Sequence, residues 1–406
     1  IRARWINADG TDRMGEFLVN QETDATQELP EVTLLADGGF AIVWETEDAA
    51  QDGDSGAIKA RVFNADGSQR KAEFLVNEEA ASGQFWPTIT ALNDGGFAIV
   101  WHSRDGQDDP NGFSVKMRIF NADGSERDGE LLVNDVTTGH QDYADVATLS
   151  DGRLIIVWRS ADGTADADGT GIRARILNAD GTESVAEFQV NQFTNTDQRS
   201  TYVTALANGG FVVSWTSSDQ QQEDTAADGI KARVFDANGN AVTAEFQANS
   251  LTAGSQYSSE ITALADGGFV IAWESSNPQQ GDTSSVGIKA RIFNADGSER
   301  VAEFLINATI ESMQADINIV ATPDGGFVAS WGSYDGIDDP SSGGIRARFF
   351  NADGTPRGYS EDSVATIDTA TLLANDTDSD SDTLEVTAVS GTSANGATVT
   401  LNGDGP

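Results

Sequence analysis

Clusters of aspartate in glycine-containing loops are the residues of this 406-residue sequence best suited to chemistry. Several carboxylates fall within a few residues of one another, and the glycines allow the chain to wrap tightly. Such a loop can supply the six to eight oxygen ligands that Ca²⁺ prefers, although none fits the EF-hand pattern. A solvated acidic loop is the alternative. The candidate calcium ligands in these loops are Asp105, Asp108, Asp109, Asp162, Asp166, Asp168, Asp335, Asp338 and Asp339.

Composition excludes several other kinds of site. The chain has no Cys and two His, which leaves nothing for thiol chemistry and almost nothing for a histidine triad or a multi-histidine zinc site. A formal charge of −41 repels nucleic acid and anionic membrane surfaces. No stretch reaches the ~20 apolar residues of a membrane span. We therefore expect no nucleic-acid partner and no insertion into a membrane.

The elements that position the acidic loops form a repeat of 57 or 58 residues. Its clearest marker is a tryptophan at the end of an apolar run. The six copies are Trp44, Trp101, Trp158, Trp215, Trp273 and Trp331. Self-similarity at a fixed period of this size indicates a solenoid, a propeller or an array of small modules.

One copy of the repeat predicts four short antiparallel strands. Residues 87–92 and 97–101 are joined by a tight glycine turn, and residues 115–120 and 131–133 flank an Asn-Ala-Asp-Gly turn. The second of these strands is apolar on both faces, so it must be covered on both sides. Helical periodicity is nearly absent. Four strands covered by identical neighbours are typical of a propeller blade.

The predicted fold class is therefore all-β, a β-propeller of four-stranded blades. A string of separate small modules is the alternative, but 57 residues without a disulfide make a small independent core. We favour six blades, with residues 16–20 completing the sheet built by residues 316–350. Seven blades are possible and would need two strands that lie upstream of Ile1.

Several polar residues recur at fixed positions of the repeat. Strand three carries two bases, such as Lys116 and Arg118, and strand four begins with a glutamate, such as Glu130. Opposite charges on neighbouring strands can pair, so we interpret them as internal counterions, with a basic ligand-binding stripe as the alternative. A Gln before strand one and an Asn after strand four are interpreted as structural. The repeated tryptophans are assigned to the core, whereas Trp5 and Trp86 are candidates for exposure.

The repeat stops after Gly354, and a different segment follows. Leu373–Asp378 read Leu-Ala-Asn-Asp-Thr-Asp. With the rest of residues 359–406, this stretch resembles the start of the bacterial cadherin-like, VCBS-type tandem domains of giant secreted adhesins of the RTX or type I-secreted kind. The resemblance implies a truncated β-sandwich at 358–406, which follows the propeller predicted for 1–357, and calcium in an acidic turn. The ligands it implies are Asn375, Asp376, Asp378, Asp380 and Asp382.

These observations predict a non-enzymatic adhesion module outside the bacterial cell, at its surface. We expect it to be stabilised by calcium, to bind a glycan or a protein on another surface, and to adjoin further domains of one long chain. The alternative is a six-bladed glycosidase, similar to a sialidase, that acts on surface polysaccharide. Such chemistry needs a carboxylate pair or a Tyr nucleophile. No unlike cluster stands out in the repeats, and the Ser-x-Asp-x-Gly-x-x-Trp box of sialidases is absent.

Overall fold

The computed structural model describes most of the repeat region, which forms one unit spanning Ile1–Arg357. The described residues are 1–7, 12–23, 25–47, 56–78, 83–104, 106, 112–163, 169–194, 196–218, 228–250, 254–276, 286–308, 312–334 and 343–357. All regular elements among them are β-strands, with no helix. In this part of the chain there is consequently no helix of the length and apolarity that a membrane span requires.

The strands follow the period predicted from the sequence. A two-stranded sheet comes first, with β1 (Arg2–Ile6) and β2 (Asp12–Leu18). Blade one has β3 (Gln27–Leu34), β4 (Phe40–Thr46), β5 (Ala57–Phe63) and β6 (Gln69–Leu75). Blade two has β7 (Gln84–Ala91), β8 (Phe97–Ser103), β9 (Ser114–Phe120) and β10 (Leu131–Leu132). Blade three has β11 (Gln141–Thr148), β12 (Leu154–Ser160), β13 (Gly171–Leu177) and β14 (Glu183–Gln189).

The remaining blades repeat this order. Blade four has β15 (Gln198–Ala205), β16 (Phe211–Ser217), β17 (Gly229–Phe235) and β18 (Phe246–Gln247). Blade five has β19 (Gln256–Ala263), β20 (Phe269–Ser275), β21 (Gly287–Phe293) and β22 (Glu299–Leu305). Blade six has β23 (Gln314–Ala321), β24 (Phe327–Ser333) and β25 (Gly344–Phe350). Within each blade, strands adjacent in sequence pair antiparallel.

The six blades form a propeller ring, and blades one to five have four strands each. The predicted fold class is confirmed. First strands of consecutive blades contact one another, so strand one lies nearest the axis. The apolar faces of strand two lie between blades. Ile99 and Trp101 pack on blade one, while Ala98 and Val100 pack on blade three, and all four are fully buried. A strand that is apolar on both faces is thus covered on both sides.

The predicted closure of the ring by residues 16–20 is wrong. β2 pairs with β1, and blade six has three strands among the described residues. β1 and β2 carry the sequence of strands three and four, and they pack on the outer part of blade one through Trp5 and Phe17. Two strands have the strand-three sequence and could pair with β2, namely β1 and β25. β2 pairs with β1 because the two are adjacent in the chain and form a local hairpin.

The recurring polar residues are structural, as predicted. Each repeat tryptophan donates its indole N–H to the repeat glutamine of its own blade at 2.7–3.1 Å. The strand-four asparagine, such as Asn134, accepts the N–H of the residue that precedes the first strand-three base, here Val115, at 2.8 Å. The repeat tryptophans are 0–4% exposed. These contacts recur because every blade has the same strand ends to satisfy.

The charged ladder links neighbouring blades. The first base of strand three pairs with the glutamate of its own blade, as Lys116 does with Glu130 at 3.2 Å. The other oxygen of Glu130 accepts the N–H of Glu78 in the preceding blade at 3.0 Å. The second base reaches back as well: Arg118 donates to the carbonyl of Val76 at 2.8 Å. The prediction of internal counterions is confirmed, with Lys116 rather than Arg118 as the partner of Glu130.

Candidate functional site

Every first strand carries a bulge at its third residue. The residue there has a positive φ of 47–56° although it is not glycine, and the pairing with strand two shifts at that point. The six residues are Leu29, Trp86, Tyr143, Ser200, Ser258 and Asp316. A bulge redirects side chains and is common next to active sites, and a left-handed non-glycine residue persists only where its surroundings hold it. The bulges therefore set the direction of the residues that follow them near the axis.

The fifth residue of strand one differs from blade to blade. In blade order the six residues are Glu31, Thr88, Asp145, Tyr202, Glu260 and Asn318. Their neighbours at the sixth position are Val or Ile throughout. We call Glu31, Asp145, Tyr202 and Glu260 the axial cluster. The three carboxylates come from blades one, three and five, so they surround the axis, and Tyr202 lies on the blade between Asp145 and Glu260.

The carboxylates of the axial cluster act on one another. Burial raises the pKa of Glu31 to about 7, and the charge of Asp145 adds to this. Burial also raises the pKa of Asp145 to about 6, although the N–H groups of Val203 and Val146 each donate to its carboxylate at 2.8 Å. Glu31 and Asp145 occupy the same position of strand one in blades one and three, and strand one lies nearest the axis.

Glu260 and Tyr202 form the other half of the cluster. Burial, followed by the charges of Glu31 and Asp145, raises the pKa of Glu260 well above its ordinary value. A hydrogen bond from the Tyr202 phenol opposes this shift. Burial and the surrounding carboxylates also raise the pKa of Tyr202. At neutral pH the cluster therefore holds a neutral acid and a carboxylate together, which is what acid–base chemistry requires.

The side chains at the third position of strand one form a rim beside the axial cluster, which occupies the fifth position. Trp86 is 38% exposed, which confirms it as an exposed tryptophan, and its ring stacks on Tyr143 with centroids 4.9 Å apart. The Arg159 guanidinium lies 4.7 Å from the Tyr143 ring and donates twice to Asp142 at 2.6 Å. An exposed aromatic ring whose neighbours hold it in place offers an apolar platform for a ligand. Trp5, the other candidate for exposure, packs edge-on against Phe40.

At this rim, glutamates of the preceding blade accept hydrogen bonds from the backbone N–H groups of two bulge residues. The N–H of Trp86 donates to Glu45 at 3.1 Å, and that of Asp316 donates to Glu274 at 3.0 Å. Burial raises the pKa of both glutamates to about 7. The acidic loops of the sequence analysis leave strand two from the same end of the blades. The rim is therefore the variable end of an otherwise repetitive molecule.

One of the predicted calcium ligands lies in the described part of the chain. The side chain of Asp162 is fully buried and accepts a hydrogen bond from Arg173 at 2.7 Å. Among the described residues no group of three or more His, Asp or Glu is arranged to hold a metal ion. Outside the described residues lie the other predicted ligands, Asp105, Asp108, Asp109, Asp166, Asp168, Asp335, Asp338, Asp339, Asn375, Asp376, Asp378, Asp380 and Asp382.

The axial cluster was not predicted from the sequence. The predicted sites consist of carboxylates that are close together in the chain, whereas Asp145 and Glu260 are separated by two repeats. The available signal was the fifth position of strand one, which varies in chemistry between copies while the sixth position stays Val or Ile. Alignment of the six copies by their tryptophans would have revealed it.

Residues 350–406 match a family described as the cadherin-like domain. No curated protein sequence matches the chain. Among solved structures, it is similar to a protein of unknown function from Dyadobacter fermentans, at 13% identity over 81% of this chain and 95% of that one, with a TM-score of 0.52. It is also similar to the arabinanase of Penicillium chrysogenum complexed with arabinobiose, at 14% identity over 78% and 92%, with a TM-score of 0.50.

A third similar structure is the NanB sialidase of Streptococcus pneumoniae. It is 8% identical over 79% of this chain and 68% of that one, with a TM-score of 0.52. At these identities the likenesses establish the fold of this chain and leave its activity open.

The prediction of a non-enzymatic adhesion module is contradicted by these neighbours. Two of the three are glycosidases, which favours the alternative that the sequence analysis set second. A non-enzymatic module was predicted because a repeat should offer no cluster of unlike groups, whereas the axial cluster consists of unlike residues at one repeat position.

Proposed function

We propose that the propeller is a glycosidase whose catalytic groups are the axial cluster. The observation that carries this proposal is that Glu31, Asp145 and Glu260 occupy one position of strand one in three blades, with Tyr202 at the same position of a fourth. In addition to burial, the charge of Asp145 raises the pKa of Glu31, and the charges of both raise the pKa of Glu260. Glycoside hydrolysis uses one carboxylic acid to protonate the leaving oxygen and one carboxylate as base or nucleophile. The glycosidase neighbours support the same proposal through the fold they share with this chain.

The environments of the carboxylates suggest how the roles divide. Glu31 has a pKa of about 7, so it is the proposed general acid. Asp145, with a pKa of about 6 and two backbone N–H donors, is the proposed base or nucleophile. Glu260, which hydrogen-bonds Tyr202, is proposed to stay protonated and to position the phenol. The exposed Trp86 ring on the rim would stack on a sugar of a polysaccharide substrate.

The test is hydrolysis by the purified chain of a panel of chromogenic glycosides, including arabinosides and sialosides, and of bacterial polysaccharides. We expect kcat/KM to rise with pH as Asp145 ionises near 6 and to fall as Glu31 loses its proton near 7. The profile should therefore be bell-shaped, with apparent pKa values that belong to the coupled cluster. A correctly folded chain that releases product from no member of the panel would contradict the proposal.

We further propose that the protein works outside the bacterial cell and binds Ca²⁺ at its acidic loops and in its C-terminal segment. The match of residues 350–406 to a cadherin-like domain and the charge of −41 support this setting. Neighbouring domains of one chain and a surface glycan as substrate are the partners proposed with it. Carboxylate-rich loops suit calcium because it takes oxygen ligands in flexible geometry.

Millimolar calcium should raise the melting temperature of the chain more than sodium of equal ionic strength does. Both salts screen the negative charges, whereas a cation bound to the folded state alone adds stability by mass action. The additional gain should shrink when Asp105, Asp108 and Asp109 are changed to Asn. The gain should also shrink when, in a separate variant, Asp376, Asp378 and Asp380 are changed to Asn. Equal melting temperatures in the two matched salts would show that the acidity serves solubility.

A further inference from the structure

Blade one exposes apolar residues that the other blades bury. Val32 is 62% exposed, whereas four residues at its position in other blades are 6–7% exposed. These four are Val146, Val203, Ile261 and Ile319. Val146 is covered by Ala98 and Val100, on strand two of the preceding blade. Val32 therefore lacks a neighbour that the repeat supplies elsewhere.

Blade six also exposes an apolar residue, on the face where the other blades contact the next blade. Ile345 is 84% exposed, while all five residues at its position in blades one to five are fully buried. These five are Ile58, Val115, Ile172, Ile230 and Ile288. Ile58 is covered by Phe97, Ile99 and Trp101, again on strand two of the adjacent blade. One missing strand of the same type would thus account for both exposed residues.

Blades six and one line a common gap. A cavity of about 320 Å³ there is lined by Val320 of blade six, by Val32 and Leu34 of blade one, and by Trp5 of β1. β1 corresponds to a third strand, and among the described strands it pairs with β2 alone. In a complete blade the strand on that side of the third strand is strand two. β1 and β2 correspond to strands three and four of a blade. The gap lies where strands one and two of that blade would be.

We propose that this gap binds a β-hairpin with the strand-one and strand-two sequence of the repeat. Such a hairpin carries a strand that is apolar on both faces, which covers Ile345 with one face and Val32 with the other. Its strand two would pair with β1, and main-chain hydrogen bonds would add to the apolar contacts. In this complex the cavity accommodates only those hairpin side chains that point into it, and the backbone of the hairpin lies along β1.

A second copy of the chain is the less suitable occupant. Its own strand-one and strand-two hairpins are already paired within blades, as blades one to five show, so it has no free hairpin of this type to donate. A flat contact between two copies would cover Ile345 or Val32 but would leave the pairing edge of β1 unused. The continuity of the gap with the repeated blade–blade interface favours the hairpin.

The probe is a peptide with the sequence of residues 84–103, attached to a soluble carrier and titrated into the full 406-residue chain. We expect one peptide to bind per chain and to raise the melting temperature. Ile345→Asp and Val32→Asp should each weaken binding roughly ten- to hundredfold, since burying one such side chain is worth that much. Both residues are exposed, so neither variant should change melting without peptide. Val242→Asp, at another exposed valine (58%), is the matched control and should bind as the parent does.

A second arm joins residues 84–114 ahead of Ile1, because Ser114 precedes the residue equivalent to Ile1. This extended chain should melt at a higher temperature than the parent, and Ile345→Asp should remove the gain. Absence of peptide binding together with no gain in the extended chain would overturn the proposal. So would binding that Ile345→Asp and Val32→Asp leave unchanged. Concentration-dependent dimers that Ile345→Asp dissolves, without peptide binding, would assign the gap to a second copy.

Discussion

Changing Glu31 to Gln is expected to lower kcat roughly 10²–10⁴-fold on substrates with a poor leaving group. The amide keeps the size of the side chain but cannot donate the proton that the departing oxygen needs. An activated aryl leaving group, such as dinitrophenolate, departs without protonation. The loss on that substrate should therefore be much smaller, and the two substrates together test the role of Glu31 as acid.

Glu28→Gln is the matched control for this variant, because it makes the same change from carboxyl to amide at an exposed position on the same strand. Its rates should stay within about twofold of the parent, as expected of a surface change away from the reacting groups. An equal loss on both substrates would show that Glu31 does not donate the proton. An unchanged rate on the poor leaving group would remove it from the catalytic group.

Glu130→Ala should lower the free energy of unfolding by about 3–5 kcal/mol. The substitution removes the ion-pair partner of Lys116, whose side chain is 8% exposed. It also removes the acceptor of the Glu78 N–H in the preceding blade. A buried ammonium without its carboxylate costs far more than an exposed one, since water cannot replace the lost partner.

The chain provides a control at the same repeat position. Glu16 pairs with Arg2 at 2.6 Å, but these side chains are 59% and 66% exposed. Glu16→Ala should therefore change the free energy of unfolding by about 1 kcal/mol or less. Urea denaturation of both variants measures the difference. Similar losses at Glu16 and Glu130 would show that burial does not decide the strength of the ladder.

The sequence by itself determined the blade and its internal contacts. The strands, the glycine turns, the structural role of the repeat Gln and the charged ladder follow from the recurrence of the same residues in the repeats, whereas the pairing of that Gln with the repeat Trp came from the structure. Six copies of one pattern reveal these features, because a residue that recurs at one position answers a recurring local need. The apolar second strand also indicated packing on both faces, and so a propeller.

Only the tertiary structure decided where the unlike residues meet. Glu31, Asp145 and Glu260 are far apart in sequence, and each is a single departure within its own copy. Convergence of the first strands at the axis brings the three carboxylates into electrostatic reach of one another. The exposure of Val32 and Ile345 likewise depends on which blades are neighbours, since residues at the same positions are buried elsewhere. Local pattern predicts what each repeat buries, whereas ring geometry determines which repeats face one another.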